Sequence, residues 1–448
     1  MTTSDRIHQR EESKVLDELQ HSAFKYFLDK TNPQNGLVLD NTWLGSPASI
    51  AAVGFGLAVL PVGVERNLIP RDEAAERTLV TMRFFAHSHQ GPEPDATGYR
   101  GFYYHFLDPD TGQRAQNCEL STIDSAILIS GMLVAAQYFD RDLPEERQIR
   151  TLADQLYRRA DWNWAQNEGL TVSHGWFPES GFIKDRWQGY DEAILLYLLG
   201  LASPDHPLPS ASYQAYTSTY RWETLYGYEL LHAAPLFVHQ FPHVWIDFHS
   251  IRDEPMRARG IDYFENSRRA SYVHQQYAIH NPHQFKGYGE FAWGITASEG
   301  PIQGTKPRQV GGRTFYAYLA RGVPEPDDGT LSPWTAVTSL PFAPEIALPT
   351  IEHYIEAFPQ LSGPYGLKCS LNPTFPGTVE TGPGWFSNDY YGINEGPIIL
   401  MIENYRSGLI WKLMQKCGPI ADGLRKAGFQ NGWLDKETSY DTEKNGNR

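Results

Sequence analysis

The most apolar run of the chain reads ASIAAVGFGLAVLPVGV, from Ala48 to Val64. Gly54, Gly56, Pro61 and Gly63 interrupt this run. It also falls short of the roughly 20 apolar residues that a bilayer-spanning helix needs. The run therefore predicts a helix buried inside a folded protein rather than a membrane span.

Helical periodicity recurs along most of the chain, and strand-like alternation is scarce. The predicted helices are Glu12–Leu28, Pro47–Val64, Arg71–His87, Ser121–Tyr138, Pro144–Gln166, Asp191–Ala202, Ser210–His232, Gly260–Asn281, Pro341–Phe358 and Pro397–Gln415. The best strand candidate, Arg313 to Tyr318, leaves room for a small β element on one face. This pattern predicts an all-α fold of layered helices, whose closed form is a toroid of helical hairpins.

No low-complexity linker divides the sequence, which predicts one domain over residues 1–448 with a core from about 12 to 430 and a disordered tail. The segment from Met1 to Lys14 is polar and lacks the apolar stretch of a secretory signal. We therefore expect a cytoplasmic protein for the chain as given. A chain from which a leader had been removed would look the same and would be periplasmic or secreted.

Composition excludes several classes of partner. The net charge is −15, without a block of lysine or arginine, so neither nucleic acid nor a membrane surface is expected as a partner. Three widely spaced cysteines suggest neither a disulfide framework nor a thiolate zinc site. His243 and His249 form the one tight histidine group, and no metal or other cofactor is expected. The aromatic content of 13% suits either a sugar-binding cleft or a large core.

Phosphate-loop, zinc-helix, nucleophile-elbow and dinucleotide motifs are absent from the sequence. What remains is a set of acids at loop-to-helix junctions among aromatic and glycine residues. Two carboxyl groups in different environments are the working groups of glycoside hydrolysis, because one can donate a proton while the other activates water or attacks the sugar.

The first acidic cluster reads NCELSTID, residues 117–124, and leads into an apolar helix. Ser121 and Asp124 have the spacing of a capping box, a structural role that is as good an explanation of Asp124 as catalysis. Capping does not explain Glu119, which lies just before the cap at the mouth of the loop.

The second cluster reads WQGYDE, residues 187–192. Asp191 has the features of a helix N-cap, and Glu192 could merely complement the helix dipole. The aromatic and glycine residues around this junction would suit a sugar, which favours catalysis for Glu192.

Two further clusters contain acids among glycines and aromatics. In KGYGEFAWG, residues 286–294, the glycines permit close backbone approach to a ligand, so Tyr288, Glu290 and Trp293 are predicted to bind substrate. In YGINEGP, residues 391–397, Glu395 opens a helix and is also predicted to bind substrate.

These clusters together resemble the glucoamylase-like (glycoamylase) family, which includes the β-1,2-glucanases of glycoside hydrolase family 144. The matching stretches are 101–108 (GFYYHFLD), 119–125, 190–196, 287–298 and 391–411. The resemblance implies an (α/α)6 barrel with a cleft at one end, and inverting hydrolysis of β-1,2-glucan to sophorose or short sophoro-oligosaccharides without a cofactor. It implies that Glu192 is the essential acid and that Glu119 and Asp124 form a second acidic segment.

The leading hypothesis is therefore a β-1,2-glucan hydrolase with Glu192, Glu119 and Asp124 as catalytic residues. The predicted substrate-binding residues are Asp191, Tyr190, Tyr104, Tyr288, Glu290, Trp293 and Glu395. Endo or exo attack, the division of roles between the carboxyls and the oligomeric state stay open. The alternatives are an exo-acting β-glucosidase, a transglycosylase or phosphorylase on another β-glucan, and a glycan-binding protein without chemistry. Phosphate dependence and the release of reducing ends separate them.

Overall fold

Sixteen α-helices are the main secondary structure in the computed structural model, which describes residues 3–377 and 384–435, with side chains from residue 13 onward. They are α1 (Thr3–Asp29), α2 (Ile50–Glu65), α3 (Arg71–His87), α4 (Thr122–Tyr138), α5 (Pro144–Arg159), α6 (Trp162–Ala165), α7 (Ile194–Ala202), α8 (Ala211–Thr217), α9 (Phe241–Trp245), α10 (Glu254–Arg259), α11 (Tyr263–His280), α12 (Trp334–Thr338), α13 (Pro344–Ala357), α14 (Gly392–Arg406), α15 (Leu409–Gln415) and α16 (Gly418–Lys426). Short 3-10 helices span Leu236–His239, Pro359–Leu361 and Gly432–Asp435.

Short antiparallel strands connect the helices. They are β1 (Ala48–Ser49), β2 (Gly98–Tyr99), β3 (Phe102–Tyr104), β4 (Phe106–Leu107), β5 (Leu120–Ser121), β6 (Gly175–Phe177), β7 (Gly181–Phe182), β8 (Trp222–Leu225), β9 (Tyr228–Leu231), β10 (Ala297–Ser298), β11 (Arg308–Val310), β12 (Arg313–Phe315), β13 (Leu319–Ala320), β14 (Ser362–Gly363), β15 (Gly366–Leu367), β16 (Leu371–Asn372) and β17 (Trp385–Phe386). One sheet has five strands in the order β2-β3-β5-β6-β7, and the others are pairs. The helix-rich class is as predicted, whereas the number of small sheets was not predicted.

Helix α2 confirms the prediction of a buried helix in the apolar run. It packs between α4 and α14. A side-chain carbon on Gly54 would lie 2.6 Å from the Ile127 carbonyl oxygen, and one on Gly131 of α4 would overlap the Gly54 carbonyl. The two glycines thus let α2 and α4 approach backbone to backbone, which explains why glycines interrupt the apolar run.

The other helices extend this packing on both sides. Helix α4 also contacts α5, α7 and α15, and α14 contacts α1, α9 and α12. Peripheral pairs are α3 with α5, α7 with α16 and α12 with α13. Buried apolar side chains from Leu16 to Leu434 form one connected cluster, so both ends of the described chain contribute to the same core.

None of the helices within the described ranges is both long and apolar enough to cross a membrane. The tail that was predicted to be disordered lies mostly outside the described residues, beyond residue 435.

The predicted helix Ser210–His232 is wrong over most of its length. Helix α8 ends at Thr217, and β8 and β9 then form a hairpin. Tyr226 and Gly227 at its tip have φ values of 50° and 85°. Two positive φ values in a two-residue turn match the twist of paired strands, and this local geometry prevails over the helical spacing of the apolar residues.

Two long predicted helices are each divided. Pro144–Gln166 separates into α5 and α6, because Asp161 begins a new turn by accepting a hydrogen bond from the Trp164 amide at 3.0 Å. Pro397–Gln415 separates into α14 and α15 at Gly408, whose φ of 66° is left-handed.

Candidate active site

The candidate site lies where β5 leads into α4. Ser121 is the N-cap of α4, and its hydroxyl oxygen accepts a hydrogen bond from the Asp124 amide at 3.2 Å. This confirms the Ser121 half of the predicted capping box. The Asp124 carboxylate, however, lies 3.4 Å from Nδ1 of His105, so it serves the site as well as the helix.

Strand pairing places His105 opposite Glu119. The register of β3 and β5 aligns Tyr104 with Leu120, so the next residue of one strand faces the preceding residue of the other. The His105 amide donates to the Glu119 carbonyl at 2.9 Å, and the His105 Nδ1 lies 2.8 Å from the Glu119 carboxylate. The pairing of the two strands therefore brings the side chains of His105 and Glu119 into contact.

The ionisation of this cluster follows from its contacts. Burial disfavours the imidazolium, but the charges of Asp124 and Asp40 and the hydrogen bond and charge of Glu119 outweigh it and raise the pKa of His105 to about 9. Burial also acts to raise the pKa of Glu119, yet the hydrogen bond and charge of His105 bring it below the ordinary value. Nearby Asp40 is buried, which raises its pKa to about 6 despite the opposing effect of His105. At neutral pH the cluster pairs an imidazolium with carboxylates.

Glu192 joins this site from the turn before α7. Burial raises the pKa of Glu192 to about 7, and the negative charge of Asp124 adds to this effect while its own backbone amide opposes it. The two acidic clusters of the sequence therefore act on each other in space. A carboxyl with a pKa near neutrality can hold a proton and release it under working conditions.

Asp191 is not the N-cap of α7, contrary to the prediction. The helix begins at Ile194 and its N-cap is Ala193, whose amide donates to the Asp191 carboxylate at 3.0 Å. Burial and the charge of Glu192 raise the pKa of Asp191 well above its ordinary value. Asp191 thus braces the turn that carries Glu192.

Trp187 and His174 connect the two helix starts. Their rings stack with centroids 3.8 Å apart, and the Trp187 indole N–H donates to the Thr122 hydroxyl of α4 at 2.9 Å. Burial lowers the pKa of His174, although the charges of Asp185 and Glu119 oppose this. His174 is therefore a neutral neighbour of Glu119 at neutral pH.

Two exposed aromatic side chains are connected to Asp40, one through its charge and one through Tyr391. Tyr318 is 61% exposed and Trp43 is 51% exposed. Burial nevertheless raises the pKa of the Tyr318 hydroxyl, and the charges of Asp40 and Glu192 act on it. Tyr318 therefore lies within electrostatic reach of Asp40 and Glu192, and the surface between these residues is the candidate cleft. Trp43 packs edge-on against Tyr391. Burial raises the pKa of the Tyr391 hydroxyl, and the charge of Asp40 adds to this effect.

A fully buried ion pair anchors the segment that carries Tyr318. Arg321 and Asp328 are both 0% exposed and lie 2.7 Å apart. The same guanidinium donates to the carbonyls of Tyr316 and Ala317 at 3.3 and 3.0 Å, and Asp328 accepts from the Tyr316 amide at 3.0 Å. Tyr318 therefore projects from a restrained backbone rather than from a loose loop.

Several predicted substrate-binding residues do not reach this cleft. Tyr104 and Trp293 are 0% exposed and Glu395 is 1% exposed, which leaves no surface for a sugar to contact. Burial raises the pKa of Glu395 well above its ordinary value. Aromatic residues and an acid beside glycines were predicted to mark a binding surface, but here they are enclosed in the core of the protein.

The remaining predicted residues lie near the core or at its edge. Tyr190 packs between Tyr220, Tyr263 and His239 behind the turn that carries Glu192. The Tyr288 hydroxyl donates to Asp327 at 2.7 Å. Glu290 lies exposed in a turn, and its carbonyl accepts from Gln275 at 3.0 Å.

Sequence reasoning gave no role to His105, Asp40, Trp43 or Tyr318. His105 stands within the motif GFYYHFLD, where its position directly after a strand was the one available signal. The other three are distant in sequence from both acidic clusters, and only folding brings them to the cleft.

No group of three His, Cys, Asp or Glu side chains in the described ranges is arranged to hold a metal ion. In the histidine group noted in the sequence, His243 Nε2 lies 2.9 Å from the Ser267 hydroxyl and His249 contacts Asp247. These two histidines have separate protein partners.

Comparison with known proteins identifies the family. The family model named Glycoamylase and described as "putative glucoamylase" matches residues 184–418, which is more than half of the chain. The chain also has 30% identity to a "putative glucoamylase" from Bacteroides uniformis of known crystal structure, with a TM-score of 0.83 and coverage of 94% of this chain and 98% of the other. This protein belongs to the Glycoamylase family.

Two relatives have named activities. The chain is 26% identical over 461 residues to the exo β-1,2-glucooligosaccharide sophorohydrolase (non-reducing end) of Parabacteroides distasonis, covering 95% of this chain and 59% of that protein. It thus spans about three fifths of the relative's length. It is also similar to the endo-β-1,2-glucanase of Chitinophaga pinensis, solved with sophorotriose and glucose, at 26% identity, a TM-score of 0.82 and coverage of 94% and 99%.

Proposed function

We propose that this protein is a glycoside hydrolase that cleaves β-1,2-glucan to sophorose or short sophoro-oligosaccharides. Its family membership and its similarity to a sophorohydrolase and an endo-β-1,2-glucanase support the substrate class. The observation that carries the proposal is the Glu192 carboxyl, which has a pKa of about 7 and lies within electrostatic reach of Asp124. Two acids with different ionisation are what glycoside hydrolysis requires.

In the proposed mechanism Glu192 is the general acid and donates its proton to the departing glycosidic oxygen. The ionised Glu119, with Asp124 beside it, activates water on the other side of the bond, and the anomeric configuration inverts. Inverting enzymes hold their two carboxyl groups roughly 6.5 to 9.5 Å apart so that water fits between. No cofactor takes part in this scheme.

The order of the helices supports an (α/α)6 barrel as the scaffold. In this arrangement α2, α4, α7, α9, α12 and α14 would be the inner helices, and contacts already connect α7 to α4, α4 to α2, α2 to α14, and α14 to both α9 and α12. The acidic clusters precede two neighbouring inner helices, α4 and α7. A barrel would thus open its cleft at the end where these helices begin.

We further propose that Trp43 and Tyr318 bind glucosyl units beside Glu192. The apolar face of a pyranose packs on aromatic rings, and both rings have more than half of their surface open. Tyr190 and Asp191 support the Glu192 turn from behind. Tyr288 and Glu290 remain proposed contacts farther from the reacting bond, whereas Tyr104, Trp293 and Glu395 are left out because they are buried.

The test is to incubate the protein with linear β-1,2-glucan and, in parallel, with β-1,3-, β-1,4- and α-1,4-glucans. We expect sophorose or a ladder of sophoro-oligosaccharides from the β-1,2 polymer alone. A ladder would indicate internal cleavage, and a single disaccharide from the start would indicate exo attack. Proton NMR of the first product gives its anomeric form, for which we expect inversion.

Two outcomes would contradict the proposal. Binding of the β-1,2 polymer without new reducing ends would indicate a glycan-binding protein. Products that form only when inorganic phosphate is added would indicate a phosphorylase.

A further inference from the structure

Three carboxyl groups from separate parts of the chain surround one histidine. Asp40 follows α1, Glu119 precedes β5 and Asp124 lies in the first turn of α4, and all three act on His105. Glu119 and Asp124 both contact the same atom, Nδ1, at 2.8 and 3.4 Å. A single N–H therefore serves two of the proposed catalytic carboxylates.

The imidazole is held firmly in place. The His105 amide donates to the Glu119 carbonyl at 2.9 Å, and the His105 carbonyl accepts from the Ile50 amide at 3.2 Å. Its ring stacks on Phe106 with centroids 4.1 Å apart. The side chain keeps about a third of its surface open, at 33% exposure, so the ring faces the cleft from a rigid backbone.

The contact of His105 with Glu119 and Asp124 matters because the other charged groups nearby do not supply a cation to these two carboxyls. The charge of Arg114 also lowers the pKa of Glu119, but the Arg114 guanidinium forms an ion pair with Glu179 at 2.6 Å. His174 and the Cys118 thiol lie near Glu119 and are uncharged at neutral pH. Asp124 also interacts with Glu192 and Asp40, whose carboxyl groups supply no positive charge. In the part of the chain with described side chains, no lysine or arginine forms an ion pair with Glu119 or Asp124.

We propose that His105 is a positioning residue that, as an imidazolium, keeps Glu119 ionised and holds the carboxyl groups of Glu119 and Asp124 in place for the reaction at Glu192. This inference rests on the proposed function. Without this positive charge, Glu119 would lose the hydrogen bond and the charge that lower its pKa, and it would take up a proton at a higher pH. The acid side of the pH–rate profile therefore depends on His105, whereas the alkaline side depends on Glu192. The raised pKa of His105, about 9, agrees with this role.

The variant His105→Asn tests the proposal, because an asparagine amide can take the place of the Nδ1 donor without its charge. We expect the acid limb of the kcat profile to move up by about one pH unit, so that the loss of kcat approaches tenfold only at pH values below the acid limb of both forms and is about threefold or less at pH 5. KM should change less than about twofold, and the alkaline limb should stay in place. The matched control is His89→Asn, which removes a solvent-exposed histidine paired with Glu93 at 3.1 Å and should leave the profile unchanged.

An acid limb that stays in place in His105→Asn, with only a lower amplitude or lower stability, would show a merely structural role and overturn the proposal. A second measurement does not need activity or a folded variant. Histidine side-chain NMR of the native protein should show His105 as an imidazolium up to about pH 8, and a neutral ring at pH 7 would refute the idea. If no glucan is cleaved, the proposed function fails, while this titration still decides the ionisation of His105.

Discussion

The starts of α4 and α7 each present acids to the cleft, yet their carboxyl groups ionise in opposite ways. Before α4, the pKa of Glu119 is lowered. Before α7, the pKa of Glu192 is raised to about 7. Burial acts in the same direction on both side chains, so the difference comes from what faces them. His105 lies against Glu119, whereas Glu192 faces the negative charge of Asp124.

This difference teaches that a cross-strand neighbour, rather than the local sequence, separates a carboxyl with a raised pKa from one with a lowered pKa. In both clusters the acids lie just before or at the start of a helix. A helix N-terminus favours negative charge, so this effect is present at α4 and at α7 alike. The imidazolium delivered by β3 adds a cation to only one of them. The division between acid and base that we propose rests on that single placement.

The largest expected effect comes from removing the acid at the α7 start. Glu192→Gln keeps the size of the side chain but cannot donate a proton, so kcat on β-1,2-glucan should fall about 100- to 10,000-fold with little change in KM. Initial rates of reducing-end release measure this. Glu356→Gln, an exposed glutamate on α13, is the control and should behave like the native protein. Activity within about twofold of native in Glu192→Gln would refute its role as the acid.

The next largest effect is on the free energy of unfolding, which should depend on pH differently at the two helix starts. It can be measured without substrate. Because burial raises the pKa of Glu192 from 4.5 to about 7, its contribution to stability is fully present below about pH 4.5 and is lost as the pH rises through 7. Glu192→Gln avoids this loss, so it should be more stable than the native protein by about 2 kcal/mol near pH 8 and not near pH 4.

Substitution of His105 should lower the stability of the protein, whereas substitution of Glu192 raises it, and the effect falls in a different pH range. Its pKa is raised from 6.5 to about 9, so its stabilisation is fully present below about pH 6.5 and is lost as the pH rises through 9. His105→Asn should therefore be less stable than native near pH 6, and the deficit should shrink toward pH 9. Urea unfolding across this range measures both variants, and a difference that does not vary with pH would contradict the assigned ionisation.

The smallest expected effect concerns the aromatic surface next to the two helix starts. Tyr318→Ala should raise KM for sophoro-oligosaccharides by about three- to tenfold, since ring stacking contributes on the order of 1 kcal/mol. Tyr318→Phe should keep a nearly native KM. The control is Tyr226→Ala, which removes a 36%-exposed tyrosine from the tip of the β8–β9 hairpin. Equal KM values for Tyr318→Ala and Tyr226→Ala would show that Tyr318 does not bind sugar.

Much of the fold could be predicted because helical periodicity is a local property. Helix α3 has the predicted bounds, Arg71 to His87, and α2 and α4 differ from prediction by a few residues. The segment Ser210–His232 failed because its apolar spacing suits both a helix and a hairpin, and a turn with positive φ at Tyr226 decided between them. The five-stranded sheet was missed because strands of two or three residues are too short to show alternation.

The candidate site was predictable in part for the same reason. Glu119, Asp124 and Glu192 stand out because acids next to a helix start are visible in the sequence, and the structure brings their charges together. Trp293 and Glu395 look similar in sequence but are enclosed by packed helices. Glycine beside an aromatic residue can permit a ligand or a neighbouring helix to approach, and the local pattern does not distinguish the two.

The sequence by itself determined a helix-rich chain, a buried apolar α2 and acids at the starts of α4 and α7, because each depends on residues within a few turns. The tertiary structure decided which acid keeps its proton. Coulombic interactions and burial depend on distance in space, and His105 meets Glu119 through strand pairing across 14 residues, while Asp40 and Tyr318 arrive from remote segments. The chemistry of the cleft therefore follows from the register of β3 and β5 and from helix packing, which no local pattern specifies.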